Sequence, residues 1–389
     1  MFNGETCKRC GLCLNRCPFL ELPKEEARQE VIRMIETLES KLILKNCAAC
    51  GYCDVICPTQ SRPSALRKEI LLRRAREKGV SGLSIISEEV PWNLMSIGLE
   101  FEKEEKLKAL QAFSHPEPGE EVFYLGCSLS YIYTDLARTK LLEGLPVIGG
   151  MKYCCGGYVY HHFGREEAAL KGRQLLKELK ALGVKRMITF CPGCDHMISG
   201  VYPEIIPEFD IETQNIAEYL LDRHQKGLLP FSWKVGRRVT FHDSCAWRNL
   251  GSEIYEKPRL LLEAMGAEVV EMKHSRRESL CCGAPLSGRN PQAAALLAEK
   301  RVREAQAVGA EAIVFSCTGC FALAEKAFEH GLEVYNITEL AQMAIGEDPP
   351  HRIEEIKKTL TQTIMTKIME NPETLKKRYF IQNGQVKPV

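Results

Sequence analysis

The chain has 389 residues, 45% of them hydrophobic and 26% charged, with 52 basic and 51 acidic side chains and a net charge of +1. That length allows two or three domains with a sizeable core, and the near-neutral balance argues against a nucleic-acid binder. No apolar run approaches the ~20 residues needed to span a bilayer, and the opening MFNGETCKRCG has neither the charged nor the apolar region of a secretory signal, so a cytoplasmic chain is expected.

The cysteines, 18 in all, carry the information. In a large chain without a secretory signal, clustered cysteines more often bind metal than form disulfides. Residues 7–18 read CKRCGLCLNRCP and residues 47–58 read CAACGYCDVICP. Both are the bacterial ferredoxin run, in which three thiolates hold one cubane cluster and the fourth reaches across to the other. The expected sets are therefore Cys7, Cys10, Cys13 and Cys57 for one cubane [4Fe-4S] cluster, and Cys47, Cys50, Cys53 and Cys17 for the second. Zinc is the plainer alternative, but zinc sites take cysteines in pairs and close at four ligands. Two identical four-cysteine runs, each followed by proline, do not fit that habit.

Between the runs, LPKEEARQEVIRMIETLESKLIL has helical periodicity. After the second, RPSALRKEILLRRAREKG reads as a basic amphipathic helix ending at Gly79, either a solvated face or a docking surface beside the clusters. This places a two-cluster ferredoxin-like module at 1–80 and a helical linker at 81–118.

From Glu121 onward, strands and helices alternate. VFYLG is a strand ending at Cys127; a helix follows, then LPVIG and the pair Cys154–Cys155. REEAALKGRQLLKELKALG is a helix, RMITF a strand running into Cys191 and Cys194, and FDIETQ with NIAEYLLDRHQ closes the unit. The same order returns: RRVTF before Cys245, the helix YEKPRLLLEAMG, EVVEM before Cys281–Cys282, the helix NPQAAALLAEKRVREAQAVG, EAIVF before Cys317 and Cys320, then LEVYN and ITELAQMA. This is an internal repeat of about 110 residues. It predicts an α/β fold: two repeated parallel α/β domains at 119–229 and 230–346, related by pseudo-two-fold symmetry, behind the helical ferredoxin module. With the two runs, the two five-cysteine sets account for every cysteine in the chain.

Each cysteine group falls just after an expected strand, at the carboxyl edge where parallel sheets bind ligands. Helix amino termini there lower thiol pKa values. Gly156, Gly157 and Gly283, behind the pairs, let backbone approach closely or take positive φ. Five thiolates exceed what a closed zinc site or an ordinary cubane requires; the alternatives are a structural zinc or cubane with a spare cysteine, or a dithiol–disulfide redox site.

A two-cubane ferredoxin module followed by two CCG cysteine-rich domains resembles the D-type subunit of heterodisulfide reductase, and the iron-sulfur subunits of anaerobic glycerol-3-phosphate dehydrogenase and glycolate oxidase. The resemblance covers residues 1–346, with all five cysteines kept in both units. It implies noncubane [4Fe-4S] clusters, one held by Cys127, Cys154, Cys155, Cys191 and Cys194 and one by Cys245, Cys281, Cys282, Cys317 and Cys320, fed by the cubanes and splitting a disulfide reductively. The first unit's Cys127–Cys154 gap is shorter than is usual in the family, and CCGAPLSG stands where a glycine-richer turn is common.

The rival reading is an electron-transfer subunit that links a flavoprotein dehydrogenase to quinone or another reductase. No G-x-G-x-x-G follows a strand and no P-loop is present, so flavin, haem or quinone sites belong to partners. Those implied are a flavoprotein, a hydrogenase or formate dehydrogenase module, or a membrane cytochrome b through which the chain would meet the membrane; a disulfide or thiol is the implied small-molecule substrate. His242, His196 and His162, with His161, read as hydrogen-bonding neighbours of the thiolates. At 347–389, Ile353, Ile356, Leu360, Ile364 and Ile368 predict a helix packed on the body, and QNGQVKPV a loose tail.

Overall fold

A computed structural model describes residues 1–100, 104–127, 132–350, 353 and 365–389. The chain divides into two compact units: 1–74 with 237–248 and 268–334, and 75–236 with 249–267 and 335–389.

The ferredoxin module lies in the first unit. Each cysteine run turns through a glycine at positive φ, Gly11 or Gly51, into a single helical turn, Leu12–Asn15 or Tyr52–Val55. The helix Lys24–Thr37 lies between the runs. Leu14, Ala27, Val31, Met34, Ile43, Leu66 and Ile70 make its core. The helix Pro63–Lys78 follows the second run, and its basic character misleads: Arg67 is 5% exposed, turned in towards the cysteines rather than to solvent.

The strands in chain order are β1 (Val80–Ser81), β2 (Glu121–Gly126), β3 (Val147–Gly149), β4 (Arg186–Thr189), β5 (Glu212–Asn215), β6 (Arg238–Phe241), β7 (Glu268–Val269), β8 (Ala312–Phe315), β9 (Glu333–Asn336), β10 (Arg378–Gln382) and β11 (Gln385–Pro388). They form two four-stranded sheets in the orders β3-β2-β4-β5 and β7-β6-β8-β9. The pairings β2–β3, β2–β4, β4–β5, β6–β7 and β6–β8 are all parallel, as the βα repeat requires. The long helices Arg165–Ala181 and Pro291–Ala307 stand at matching places in the two repeats, each burying an apolar stripe.

The helix expected after Cys127 falls in part on 128–131, outside the described residues; beyond it the chain forms two 3₁₀ turns, Thr134–Ala137 and Lys140–Leu142. Two local expectations need correction. The segment expected as strand EVVEM pairs only over Glu268–Val269 before a loop carries the chain to Cys281. The expected loose tail is a hairpin: β10 and β11 pair antiparallel about Asn383–Gly384, both at positive φ, and β10 pairs with β1. Asn-Gly supplies the left-handed turn that a two-residue hairpin needs, and the alternation of Tyr379 and Ile381 with Val386 gives it an apolar face. Of the expected terminal helix, Ile356, Leu360 and Ile364 lie outside the described residues, while Ile353 and Ile368 are buried and Met365–Glu370 is helical.

Gly283 shows why glycine follows a cysteine pair. Its φ is +90°, and a Cβ there would sit 2.5 Å from the Ala294 carbonyl oxygen. Gly156 likewise has φ +69°, whereas Gly157 opens a helix at ordinary φ. Gly283→Ala should cost at least about 2 kcal/mol in strain and clash. The thermal midpoint of the purified protein should drop by several degrees, while Gly288→Ala, with nothing within 4 Å of the new methyl, should leave it unchanged.

Candidate metal centre

All 18 cysteines are unbridged thiols, and the fold sorts them into groups. Cys7, Cys10, Cys13 and Cys57 line one cavity, closed by Phe2, Val31, Met34 and Leu66. Burial pushes the Cys13 thiol up to about 11, with the charges of Cys7, Cys57 and Cys10 acting in the same direction. In the other group, Cys53 feels Cys47 and Cys50, and the buried Arg67 guanidinium feels Cys53, Cys47 and Cys17. Arg67 lies between the runs: Nη2 donates to the Cys13 carbonyl at 2.7 Å and Nη1 approaches Cys47 Sγ at 3.9 Å. A fixed positive charge at this position offsets the mutual repulsion of thiolates packed in low dielectric.

The two five-cysteine sets repeat one contact chain. In the first, Cys127 Sγ lies 3.4 Å from Cys154 Sγ. Cys155 joins Cys154 to Cys194, which in turn meets Cys191. In the second, the order is Cys245, Cys281, Cys282, Cys320, Cys317. The vicinal pair is therefore the bridge of each set. One sulfur turns towards the cysteine after the first strand, the other towards the C-x2-C after the third. Adjacent side chains point apart, and here that divergence links two strand ends rather than preventing a shared site.

This order fixes the acidities. Cys155 accepts from Cys154 and Cys194, and Cys282 from Cys281 and Cys320, so both fall to about 6 despite full burial. Their donors Cys194 and Cys320 are driven well above the usual thiol range, first by that donation and then by burial. Cys317, at the start of the turn Thr318–Leu323, falls to about 7, through the bond from Cys320 and then the backbone N–H groups of Gly319 and Cys320. Five crowded thiols with no disulfide between them, at least one of them easily deprotonated in each set, form a donor group suited to iron.

Of the expected histidines, the fold brings His242 to the sulfurs: a ring nitrogen, Cys282 Sγ and Cys320 Sγ lie within 4.8 Å of one another. His196 opens a π-helical turn, His196–Val201, and stacks on His161 at 6.4 Å, while His162 is half-buried against Phe163. Residue chemistry alone does not single out Arg248. It is 3% exposed and donates to three carbonyls, Arg277 at 2.9 Å together with Cys50 and Ser279. Its guanidinium also covers the Tyr52 ring at 5.5 Å. Burial pushes Cys50 up to about 11, moderated by the Arg248 charge, and Cys245 is close enough to act on the same thiol. Arg289 adds bonds to the Leu44 and Cys47 carbonyls at 3.0 and 2.8 Å, and Lys300 one to Pro18 at 2.6 Å. An arginine beside Trp247, in the turn that Cys245 opens, is the one sequence signal for this contact.

The cysteine-rich domain family, CCG, matches residues 122–199 and 239–323, and the 4Fe-4S dicluster domain family matches residues 3–62. The chain carries one 4Fe-4S dicluster domain and two CCG domains. It is homologous, at modest identity, to the D-type subunit of heterodisulfide reductase and to a glycolate oxidase iron-sulfur subunit. The D-type subunit of the dihydromethanophenazine:CoB–CoM heterodisulfide reductase of Methanosarcina mazei is 23% identical over 361 residues, 81% of this chain and 87% of that one. A probable glycolate oxidase iron-sulfur subunit of Bacillus subtilis is 24% identical over 364 residues, 73% of this chain and 80% of that one. The EtfAB:quinone oxidoreductase of Syntrophomonas wolfei is 24% identical over 287 residues, 68% of this chain but 40% of that longer protein. These relatives make this an iron-sulfur oxidoreductase-type chain. Among the described residues no helix is long and apolar enough to cross a membrane.

Two outcomes test the grouping. Cys57→Ser should abolish the same reduced-cluster EPR signal as Cys10→Ser, and Cys17→Ser the other; loss of one signal by Cys57→Ser and Cys50→Ser together would break the assignment. Arg248→Ala strands three carbonyl acceptors at about 1–3 kcal/mol for a buried unsatisfied group. Backbone hydrogen exchange at residues 49–53 and 276–282 should accelerate at least tenfold, with residues 186–200 unaffected.

Proposed function

We propose that this chain is the iron-sulfur subunit of a heterodisulfide reductase-like oxidoreductase, in which electrons reach a disulfide through two ferredoxin clusters and the five-cysteine sites. The observation that carries this reading is the repeated contact chain: both CCG domains keep all five thiols in one continuous group, three of them buried and the two end members half-buried. A purely conductive subunit would need one cluster per domain, and four thiols suffice for that. Clusters held here would supply one-electron chemistry: cubanes at the two ferredoxin sets, noncubane [4Fe-4S] clusters at the two five-cysteine sets.

The chain's own residues divide the remaining tasks. Cys7, Cys10, Cys13 and Cys57, and Cys47, Cys50, Cys53 and Cys17, would hold the cubanes. Cys127, Cys154, Cys155, Cys191 and Cys194, and Cys245, Cys281, Cys282, Cys317 and Cys320, would hold the other two. Arg67 and Arg248 stabilise negative charge on the thiolates; Arg248 and Arg289 fix the second ferredoxin run against the second CCG domain, and Lys300 holds the end of the first run at Pro18. Tyr124 and Tyr202 donate their hydroxyls to the Tyr153 and Cys155 carbonyls and so hold the first vicinal pair in place. Cleavage of the disulfide takes two electrons and two protons and yields two thiols. The electrons come from a partner, a flavoprotein, a hydrogenase or formate dehydrogenase module, or a membrane cytochrome b, and the protons from solvent. We assign the ferredoxin module to residues 1–80 and the CCG domains to 119–229 and 230–346.

Similarity to the EtfAB:quinone oxidoreductase favours a second reading, an electron-transfer subunit between a flavoprotein dehydrogenase and quinone. Oxidised, anaerobically purified protein titrated with candidate thiols separates the two. The reductase reading predicts a new, saturable EPR signal that Cys282→Ser or Cys155→Ser abolishes. A protein whose spectra respond to reduction alone, with every thiol tried, is a conductor and not a reductase.

A further inference from the structure

The two CCG domains differ at several buried positions, and two of these, one on a strand and one on a helix, lie in contact beside the second set. The helices Arg165–Ala181 and Pro291–Ala307 run into matching turns, Leu182–Gly183 and Val308–Gly309, which sets Arg301 opposite Leu175. On the strands, Tyr124 pairs with Thr189, two residues before Cys191. Phe241 pairs with Val314, so His242 stands across from Phe315, two residues before Cys317. The first pocket thus has a tyrosine and a leucine where the second has a histidine and an arginine. All four are buried, His242 at 2% exposure and Arg301 at 0%.

Their chemistry differs as well. Tyr124 spends its hydroxyl proton on the Tyr153 carbonyl, and Leu175 packs in the apolar core. Arg301 Nε lies 2.9 Å from His242 Nδ1. A guanidinium Nε always carries hydrogen, so Nδ1 must supply the lone pair and the imidazole proton sits on Nε2. The ring therefore has no lone pair left for iron, although it lies among the Cys282 and Cys320 sulfurs. Arg301 is itself held by the His274 carbonyl and the Glu304 carboxylate, each at 2.6 Å, while its buried Nη2 has no hydrogen-bond partner among the described residues.

We infer that Arg301 is a positioning residue that locks His242 as an N–H donor to the second five-cysteine site, making that site, and not the first, the better electron acceptor. Hydrogen bonds to cluster sulfur favour the reduced state, and hydrogen bonding is a recognised control of iron-sulfur potentials. At the matching positions of the first domain stand Tyr124, whose hydroxyl proton goes to the Tyr153 carbonyl, and Leu175. The inference rests on the reading that the Cys245 set holds an iron-sulfur cluster.

The test is an EPR-monitored redox titration of the anaerobically purified holoprotein, with proton ENDOR at each cluster and iron counted per chain. His242→Phe removes the donor without changing charge. It should shift the reduction equilibrium of one cluster roughly tenfold towards the oxidised form, about 59 mV for a one-electron couple, and erase an exchangeable-proton coupling at that cluster. His242→Gln, which presents an N–H, should restore part of both. Arg301→Lys keeps the charge but frees the imidazole tautomer, and should weaken the same coupling. Full iron content with an unchanged potential and an intact coupling in His242→Phe would overturn the inference. A wild-type chain that lacks iron at the Cys245 set would overturn the underlying reading first, and iron counting distinguishes the two.

Discussion

The structure depends on the crowding of acidic sulfur in places largely closed to water. Each CCG domain draws five thiols from three strand ends into one contact chain, and thiolates packed so closely repel one another in a low-dielectric interior. The thiols relieve this among themselves by sharing protons: the second cysteine of each pair becomes acidic because its neighbours donate to it, and those neighbours become correspondingly weak acids. Buried guanidinium groups do the rest. Arg67 serves the ferredoxin runs, Arg248 the meeting of Cys50 with the Cys245 set, and Arg301 the Cys282–Cys320 side. A cationic iron-sulfur core would satisfy the same requirement, which is why the arrangement reads as a metal centre rather than a disulfide store.

The vicinal pair is the element that makes the repeat work. A single cysteine at the end of a loop could touch one neighbour. Two in sequence reach in opposite directions, so Cys154–Cys155 and Cys281–Cys282 each join two strand ends. The glycine that follows removes the side chain that would collide with the neighbouring helix, as Gly283 does against Ala294. Strand order, pair and glycine are then parts of one geometric solution used twice.

Much of this was legible in the residues. Cysteine spacing showed the ferredoxin runs and the five-cysteine sets, because ligand spacing is a local constraint, and βα periodicity showed parallel sheets. What stayed hidden was long-range or locally ambiguous. Arg67 sits in a helix rich in basic residues, and nothing in its neighbourhood distinguishes a buried arginine from a solvated one. Arg248 reaches carbonyls at Cys50 and Ser279, separations that no sequence pattern encodes. The Asn383–Gly384 hairpin was readable, but a polar end invites the assumption of a loose tail. The segment before Cys281 looked like a longer strand because apolar composition does not say how many residues find a partner.

The central claim is that each five-cysteine set is an iron-sulfur site. Native mass spectrometry of the anaerobically purified chain tests it most directly. The account predicts four clusters, about sixteen irons with matching sulfide, and a loss of about four irons when Cys281 and Cys282 are both replaced by alanine. About eight irons and one zinc per CCG domain, with no iron lost in the double variant, would contradict it.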